Sequence, residues 1–345
     1  MLRISTARAD RWGDKIMSVL REQQLEACQE RLTRCPSQGI FSELGEEESR
    51  ALFLFSFYAQ EIRRHIPSRQ ELRSEVLAMV EWEASFLSPR EDELVKRMLM
   101  GGGQTPLQDW DEISAAEALI SRLWCTLQIA DNDTAILQLE LPLVAPITNA
   151  MLTPRYTALR ERIFSFDATL HSLLYLSGFL HASVPMEHFK TALQNAHPSL
   201  DRLIARYLRS AFDYTQTAQG EILLLHPGLA DPDHLLSTLS GLRPPETHLT
   251  REMMLGGMNG ILPEEIASCE SMRGALSGAV RPEFDEEEVL EDLRMMAKQG
   301  AHLPEMREVL ESMLCVLPTP GMLSALSQLH LQTVRWMGMP SAVLN

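Results

Sequence analysis

Apolar residues recur every three or four positions along nearly the whole chain, and this periodicity constrains the fold more than any other feature. A helix brings residues at that spacing onto one face, whereas a half-buried strand alternates apolar and polar residues. Strict alternation is nearly absent, and the one strand-like run, residues 221–226, is isolated. The sequence therefore predicts an all-α fold.

Local signals predict where several helices begin and end. Ser-x-x-Glu patterns start at Ser68, Ser88 and Ser114, and in such a capping box the serine oxygen accepts from the N3 amide while the glutamate reaches back. Glycines 101–103 supply the positive φ that a helix exit often requires. With a first helix over residues 9–34, these signals predict an N-terminal bundle of five or six helices.

A proline-rich, apolar segment is expected to divide the chain. Residues 141–154 carry three prolines, and proline interrupts a continuous helix because it lacks an N–H and clashes with the preceding turn. The apolar content indicates that the segment is packed. We therefore predict a packed hinge at 141–154 between an N-terminal helical bundle, 1–140, and a C-terminal helical domain, 155–345.

The C-terminal part is punctuated by prolines at positions 198, 232, 263, 282, 304 and 320. Most of them stand at or near the start of a helical pattern, where proline is well tolerated. Such spacing is typical of helix pairs, so one interpretation is a stack of helical hairpins resembling an α-solenoid. The alternative is an irregular bundle whose helices happen to begin with proline.

Charge and targeting signals restrict the function classes. The formal net charge of −16 repels phosphate backbones, so nucleic-acid binding is not expected. No apolar stretch approaches the ~20 residues of a membrane-spanning helix, and the charged N-terminus does not match a signal peptide. Five scattered cysteines favour a reducing compartment, and we expect a cytoplasmic protein without membrane insertion.

The common catalytic and cofactor-binding motifs are absent, so no cofactor is expected. One alternative remains open. Asp167 and His171 are four residues apart on a predicted helix and share a face, with His181 downstream. They are candidates for a metal or acid–base site in a helical metal- or cofactor-dependent enzyme, although such a pair is also common on helix surfaces.

Methionine and acidic residues are concentrated near the C-terminus. Eleven of the eighteen methionines lie from residue 253 onward, and residues 211–345 hold eight basic but nineteen acidic side chains. Flexible thioethers suit surfaces that adapt to apolar partners, and they also fill irregular cores. The acidic run at residues 283–292 is either a partner-binding patch or a solvated helix start. The candidate partner-binding residues are Met253, Met254, Met258, Asp285, Glu286, Glu287, Glu288, Met295 and Met296.

Three glycines in residues 253–260 argue against a buried helix there, so a movable loop is expected. Together these features favour a non-enzymatic adaptor, regulator or chaperone-like subunit of a larger cytoplasmic assembly, for example a secretion or defence machine. The expected partner is another protein, bound through an amphipathic or basic segment.

Overall fold

The computed structural model describes residues 30–60, 66–108, 112–130, 134–193, 197–217, 220–229 and 250–336. The chain divides into two compact units. Unit 1 comprises residues 1–164 and 197–211, and unit 2 comprises residues 165–196 and 212–345. Most of the predicted first helix lies outside the described residues, although residues 30–34 are helical. The hinge at 141–154 stays a prediction.

The described elements follow one another along the chain as thirteen helices and six strands, besides residues 30–34 and two short 3-10 turns, Phe57–Gln60 and Ala84–Phe86. The helices are α1 Glu46–Phe55, α2 Arg69–Glu83, α3 Pro89–Met100, α4 Glu112–Ser121, α5 Leu141–Met151, α6 Pro154–Ser177, α7 Ser183–Ala192, α8 Leu200–Ala211, α9 Arg251–Met258, α10 Pro263–Leu276, α11 Glu286–Lys298, α12 Leu303–Met313 and α13 Pro320–Gln332. The strands are β1 Gln104–Pro106, β2 Cys125–Ile129, β3 Ala135–Leu139, β4 Phe179–His181, β5 Asp213–Gln216 and β6 Ile222–Leu225.

The all-α prediction, with its stack of helical hairpins, is wrong. Of the residues that the structure describes, 64% are helical, but each unit also holds a three-stranded antiparallel sheet, so the fold is mixed α/β, and no repeat is evident among the described elements. The strand orders are β1-β3-β2 in unit 1 and β4-β6-β5 in unit 2. The strands have three to five residues each, and periodicity cannot distinguish such short apolar runs from helical segments.

Two of the three predicted capping boxes are confirmed. Ser68 and Ser88 each accept a hydrogen bond from the amide of the glutamate three residues later, and that glutamate accepts from the serine amide. The third prediction is wrong, because α4 already begins at Glu112 and Ser114 lies inside it. The Ser114 hydroxyl instead accepts from Arg31.

The proline-rich segment is helical over most of its length, and the expected interruption of the helix falls at residues 152–153, between α5 and Pro154 at the start of α6. Pro142 lies in the first turn of α5, where an N–H has no helical acceptor, and Pro146 removes one bond from the interior. Burial offsets this loss, because Leu143 and Ile147 are fully buried in the core of unit 1. The segment is packed, as the sequence predicted.

Residues 253–258 also form a helix rather than the expected loop. A Cβ on Gly257 would lie 2.5 Å from the Ser172 Oγ and 2.8 Å from the Ser172 carbonyl oxygen. The glycine therefore permits α9 to approach α6 closely within unit 2. The Ser172 hydroxyl uses this proximity to donate to the carbonyl of Met254 at 2.7 Å.

Helices α10 to α13 enclose an apolar core of unit 2. Met272 and Met306 are fully excluded from solvent in this core, and Met322 is nearly so. Part of the methionine enrichment therefore serves packing, as the core interpretation predicted.

Candidate functional site

The structure brings three of the predicted methionines together. Met295 is buried in an apolar cluster around Trp336, and Met253 and Met254 pack against it. We call this the Trp336 cluster; its buried members are Tyr175, Leu176, Leu229, Leu262, Met295 and Trp336. The other two predicted methionines lie elsewhere, since Met296 packs against the neighbouring core and Met258 is 49% exposed.

The acidic run forms the start of α11. Asp285 caps the helix by accepting from the amides of Glu287 and Glu288. Glu286 accepts from the Gly278 amide at 2.8 Å, and Glu287 pairs with Arg273. The helix dipole favours carboxylates in this position, so the run has a structural role whether or not it also meets a partner.

The structure brings together only two of the three residues predicted for the alternative metal or acid–base site. His171 lies 3.4 Å from Asp167, but His181 is on β4 and lies 3.7 Å from Glu221 instead. Within the described parts of the chain, no group of three or more His, Cys, Asp or Glu side chains is arranged to hold a metal ion.

A buried ionic cluster, which the sequence analysis missed, lies beside the Trp336 cluster. Glu265 of α10 and Lys298 of α11 are at most 1% exposed, and the Lys298 Nζ donates to the Glu265 Oε1 at 3.0 Å. The Tyr175 hydroxyl donates to the Glu265 Oε2 at 2.7 Å, and Arg294 lies 3.6 Å from the same oxygen. The Lys298 ammonium also stands 3.9 Å from the centre of the Tyr175 ring, a cation–π distance.

Residues 334–336 form hydrogen bonds with this ionic cluster. The Val334 amide donates to the Glu265 Oε1 at 3.0 Å, and the Val334 carbonyl accepts from Lys298 at 3.2 Å. The Trp336 amide donates to the Lys298 carbonyl, and its indole N–H donates to the Tyr175 carbonyl, both at 2.8 Å. The buried ion pair therefore binds the backbone of the segment that follows α13.

Electrostatic interactions keep Glu265 ionised despite its burial. Burial alone would raise the pKa of Glu265, but the Lys298 ammonium, the Tyr175 hydroxyl and the Leu262 amide outweigh it and hold that pKa below its usual 4.5. Burial lowers the pKa of Lys298, and the Glu265 carboxylate offsets part of this effect. Each charge of the Glu265–Lys298 pair therefore offsets much of the cost of burying the other.

His226 stands at the edge of the same cluster, with its ring centre 5.1 Å from that of Trp336. Burial, and then the positive charges of Lys298 and of neighbouring basic groups, lower its pKa from 6.5 to about 4. Its Nδ1 accepts from the Gly228 amide at 3.0 Å, which fits a neutral ring. His226 is therefore neutral in the folded protein at pH values where the unfolded chain is already protonated.

This difference predicts an acid-sensitive stability. As pH falls from 6.5 toward 4, the unfolded state binds a proton that the folded state rejects, so the free energy of unfolding should decrease. We expect a loss of about 2 kcal/mol, less than the full linkage value because the ring is partly exposed. Glu265 contributes its own loss only below pH 4.5.

Urea unfolding between pH 4.5 and 7 measures this effect. Compared with the wild type, the His226→Gln variant should lose less stability as the pH falls to 4.5, whereas the His181→Gln variant, at a half-exposed residue of β4, should keep the wild-type profile. An unchanged pH profile in His226→Gln would show that another group is responsible.

Unit 1 contains a second buried ionic network. The Arg122 Nε donates to the Glu91 Oε1 at 2.8 Å, and both side chains are fully buried. The Ser210 hydroxyl donates to the other Glu91 oxygen at 3.0 Å. Arg206 pairs with Glu83 in the same unit and stacks on the Tyr58 ring at 4.0 Å.

One sequence signal could have located the ionic cluster of unit 2. Glu265 shares a helical face with Cys269, Met272 and Leu276, all of them buried. A charged residue at a position where the apolar periodicity expects a core residue indicates a buried, paired charge.

Comparison of the chain with protein-family models, with curated proteins and with solved structures finds no match. None of the helices in the described ranges combines the length and apolar character needed to cross a membrane. The main features of the described structure are two mostly helical units, each with a small antiparallel sheet and a buried ionic network.

Proposed function

We propose that this protein is a non-enzymatic interaction component, an adaptor, regulator or chaperone-like subunit of a larger cytoplasmic assembly. Its unit 2 would bind a basic amphipathic segment of another protein. The observation that carries this proposal is a set of exposed apolar side chains on two consecutive helices of an acidic region.

Leu255 and Met258 of α9 and Ile266 of α10 are exposed apolar side chains on consecutive helices, and we call this set the α9–α10 face. These side chains are 47%, 49% and 43% exposed. Leu255 and Met258 are three residues apart, so they lie on the same side of the helix. Residues 259–262 join α9 to α10, which keeps Ile266 close in the chain.

The exposed charges on these helices are mostly negative, although Arg251, four residues before Leu255, lies on the same side of α9. Glu252, Glu264 and Glu270 are exposed on the same two helices. Residues 251–336 contain seven basic and fourteen acidic side chains, so the region favours a positively charged partner. Such a distribution suits a segment with apolar residues on one side and Lys or Arg on the other.

The predicted methionines and carboxylates support the proposal to different extents. Met258 belongs to the face directly, and Met253 and Met254 pack behind it against the Trp336 cluster. Asp285, Glu287 and Glu288 are exposed at the start of α11 and add negative charge to unit 2.

Two synthetic peptides test the proposal. They form the same apolar helical face but carry either Lys and Arg or only Glu on the polar side. We expect the full-length protein to bind the basic peptide and not the acidic one. The variant Leu255→Ser/Met258→Ser should bind at least about tenfold more weakly, because each apolar side chain contributes about 1.5–3 kcal/mol when fully buried.

The matched control is Leu331→Ser, which changes a side chain that is 80% exposed at the end of α13. This variant should bind like the wild type. Equal affinity of the double variant, or equal binding of the acidic peptide, would refute the proposed face.

A further inference from the structure

The backbone of Val334 is held by two buried side chains rather than by a helix or strand. Glu265 accepts from its amide and Lys298 donates to its carbonyl, so one ion pair binds both polar groups of a single residue. Contacts of this type bind the backbone N–H and carbonyl of a segment, whatever its side chains are. The segment that receives them follows the last turn of α13, which ends at Gln332.

The indole of Trp336 occupies a site that is shaped for it. Gly178, with φ of +80°, forms one wall, and a Cβ there would lie 2.8 Å from the indole ring. The His226 ring borders it, and the Tyr175 carbonyl accepts the indole N–H at 2.8 Å. Trp336 is only 4% exposed, so this site supplies apolar burial and one specific hydrogen bond.

Between these two anchors, Arg335 points to solvent and its guanidinium lies 3.2 Å from the His330 Nε2. The three residues 334–336 thus combine a bound backbone, an exposed basic side chain and an anchored aromatic ring. Their receptor residues lie far away in the sequence, on α6, α10 and α11. This arrangement has the form of a peptide in a binding site.

We propose that Tyr175, Gly178, Glu265 and Lys298 form a peptide-binding site, which accepts a segment with a tryptophan two residues after the anchored backbone. The chain's own residues 334–336 fill this site in cis, because they follow α13 directly through Thr333, whose hydroxyl donates to the Leu329 carbonyl. The site is distinct from the α9–α10 face, so each proposal stands or fails without the other.

A fluorescent peptide of residues 332–338 tests the site in the full-length protein. In Trp336→Ala the indole site is vacated, and we expect this variant to bind the peptide at least about tenfold more tightly than the wild type, whose site is filled. The same peptide with alanine in place of tryptophan should bind neither protein. Arg335→Ala is the matched control, because it alters an exposed residue of the same segment, and it should behave like the wild type.

A folded Trp336→Ala variant that fails to bind the peptide overturns the proposal, and so does equal binding by wild type and variant. Hydrogen exchange of the wild-type protein gives an independent readout that does not require the variant to fold. The amides of Val334 and Trp336 should exchange at least about tenfold faster than those in the middle of α11, because a bound segment can leave its site without global unfolding. Equal protection would mean that the segment is an integral part of the core.

Mass photometry at increasing protein concentration tests whether the segment binds in cis. The wild type should stay monomeric. Dimers that form with concentration and disappear in Trp336→Ala would overturn the proposal, because a second copy would then supply the segment.

Discussion

The Lys298→Met variant should lose about 3 kcal/mol of its free energy of unfolding. Removing one partner of a buried ion pair leaves the other charge uncompensated, which typically costs 3–5 kcal/mol. The lower end applies because Arg294 remains 3.6 Å from Glu265 and the Tyr175 hydroxyl still donates to it. Urea unfolding followed by circular dichroism measures the change.

A matched control separates this effect from the removal of any basic side chain. Arg307 pairs with Glu311 on α12 in the same unit, and both side chains are exposed. Exposed pairs contribute at most about 1 kcal/mol, so Arg307→Met should change stability little. If Lys298→Met were no more destabilising than Arg307→Met, Glu265 and Lys298 would not form a buried pair.

The Arg122→Met variant should destabilise unit 1 by about 3–5 kcal/mol for a related reason. Glu91 is fully buried, and without Arg122 its carboxylate keeps only the Ser210 hydroxyl and the Ser88 amide as donors. The same glutamate completes the capping box of α3, so helix and ion pair are coupled. Thermal and urea unfolding both report the loss.

Two further variants make this result specific. Arg90→Met removes an exposed arginine from the same helix and should cost less than about 1 kcal/mol. The double variant Glu91→Gln/Arg122→Met should be less destabilised than the sum of the single changes, because it no longer buries a lone charge. Additive losses would contradict a direct Glu91–Arg122 interaction.

Helices were predictable where local signals and core packing agreed. The boxes at Ser68 and Ser88 need only contacts within one turn, and both formed. The Ser114 pattern failed because α4 starts earlier in the chain and Arg31, far away in sequence, binds its side chain. Local rules describe a helix end well until a tertiary contact competes for the same atoms.

Apart from the strand-like run at residues 221–226, which contains β6, the strands were missed because their stability comes from pairing partners and not from their own pattern. Ile222–Leu225 is wholly apolar and joins β4 and β5, which the sequence separates by some thirty residues. In β3, the buried residues Ala135, Leu137 and Leu139 do alternate, but only over five positions. An alternation over five positions cannot be distinguished from the apolar periodicity of the surrounding helical segments.

The role of the candidate site stays a prediction. The methionine enrichment drew attention to Met253, Met254 and Met295, which the structure brings together, although Met295 is interior. The ionic cluster was not predicted, because Glu265 and Lys298 are 33 residues apart and only the packing of two helices joins them. The apolar periodicity around Glu265 could indicate a buried charge, but it does not identify the residue that pairs with it.

The most direct test of the interaction proposal is site-specific photo-crosslinking in the source cells. A photoreactive amino acid is placed at Met258, on the α9–α10 face, and at Leu331, on an exposed site outside it. The crosslinked peptide from position 258 should be a basic amphipathic segment of another protein, and position 331 should not yield it. If both positions capture the same peptides, or position 258 captures none, the proposed binding face is wrong.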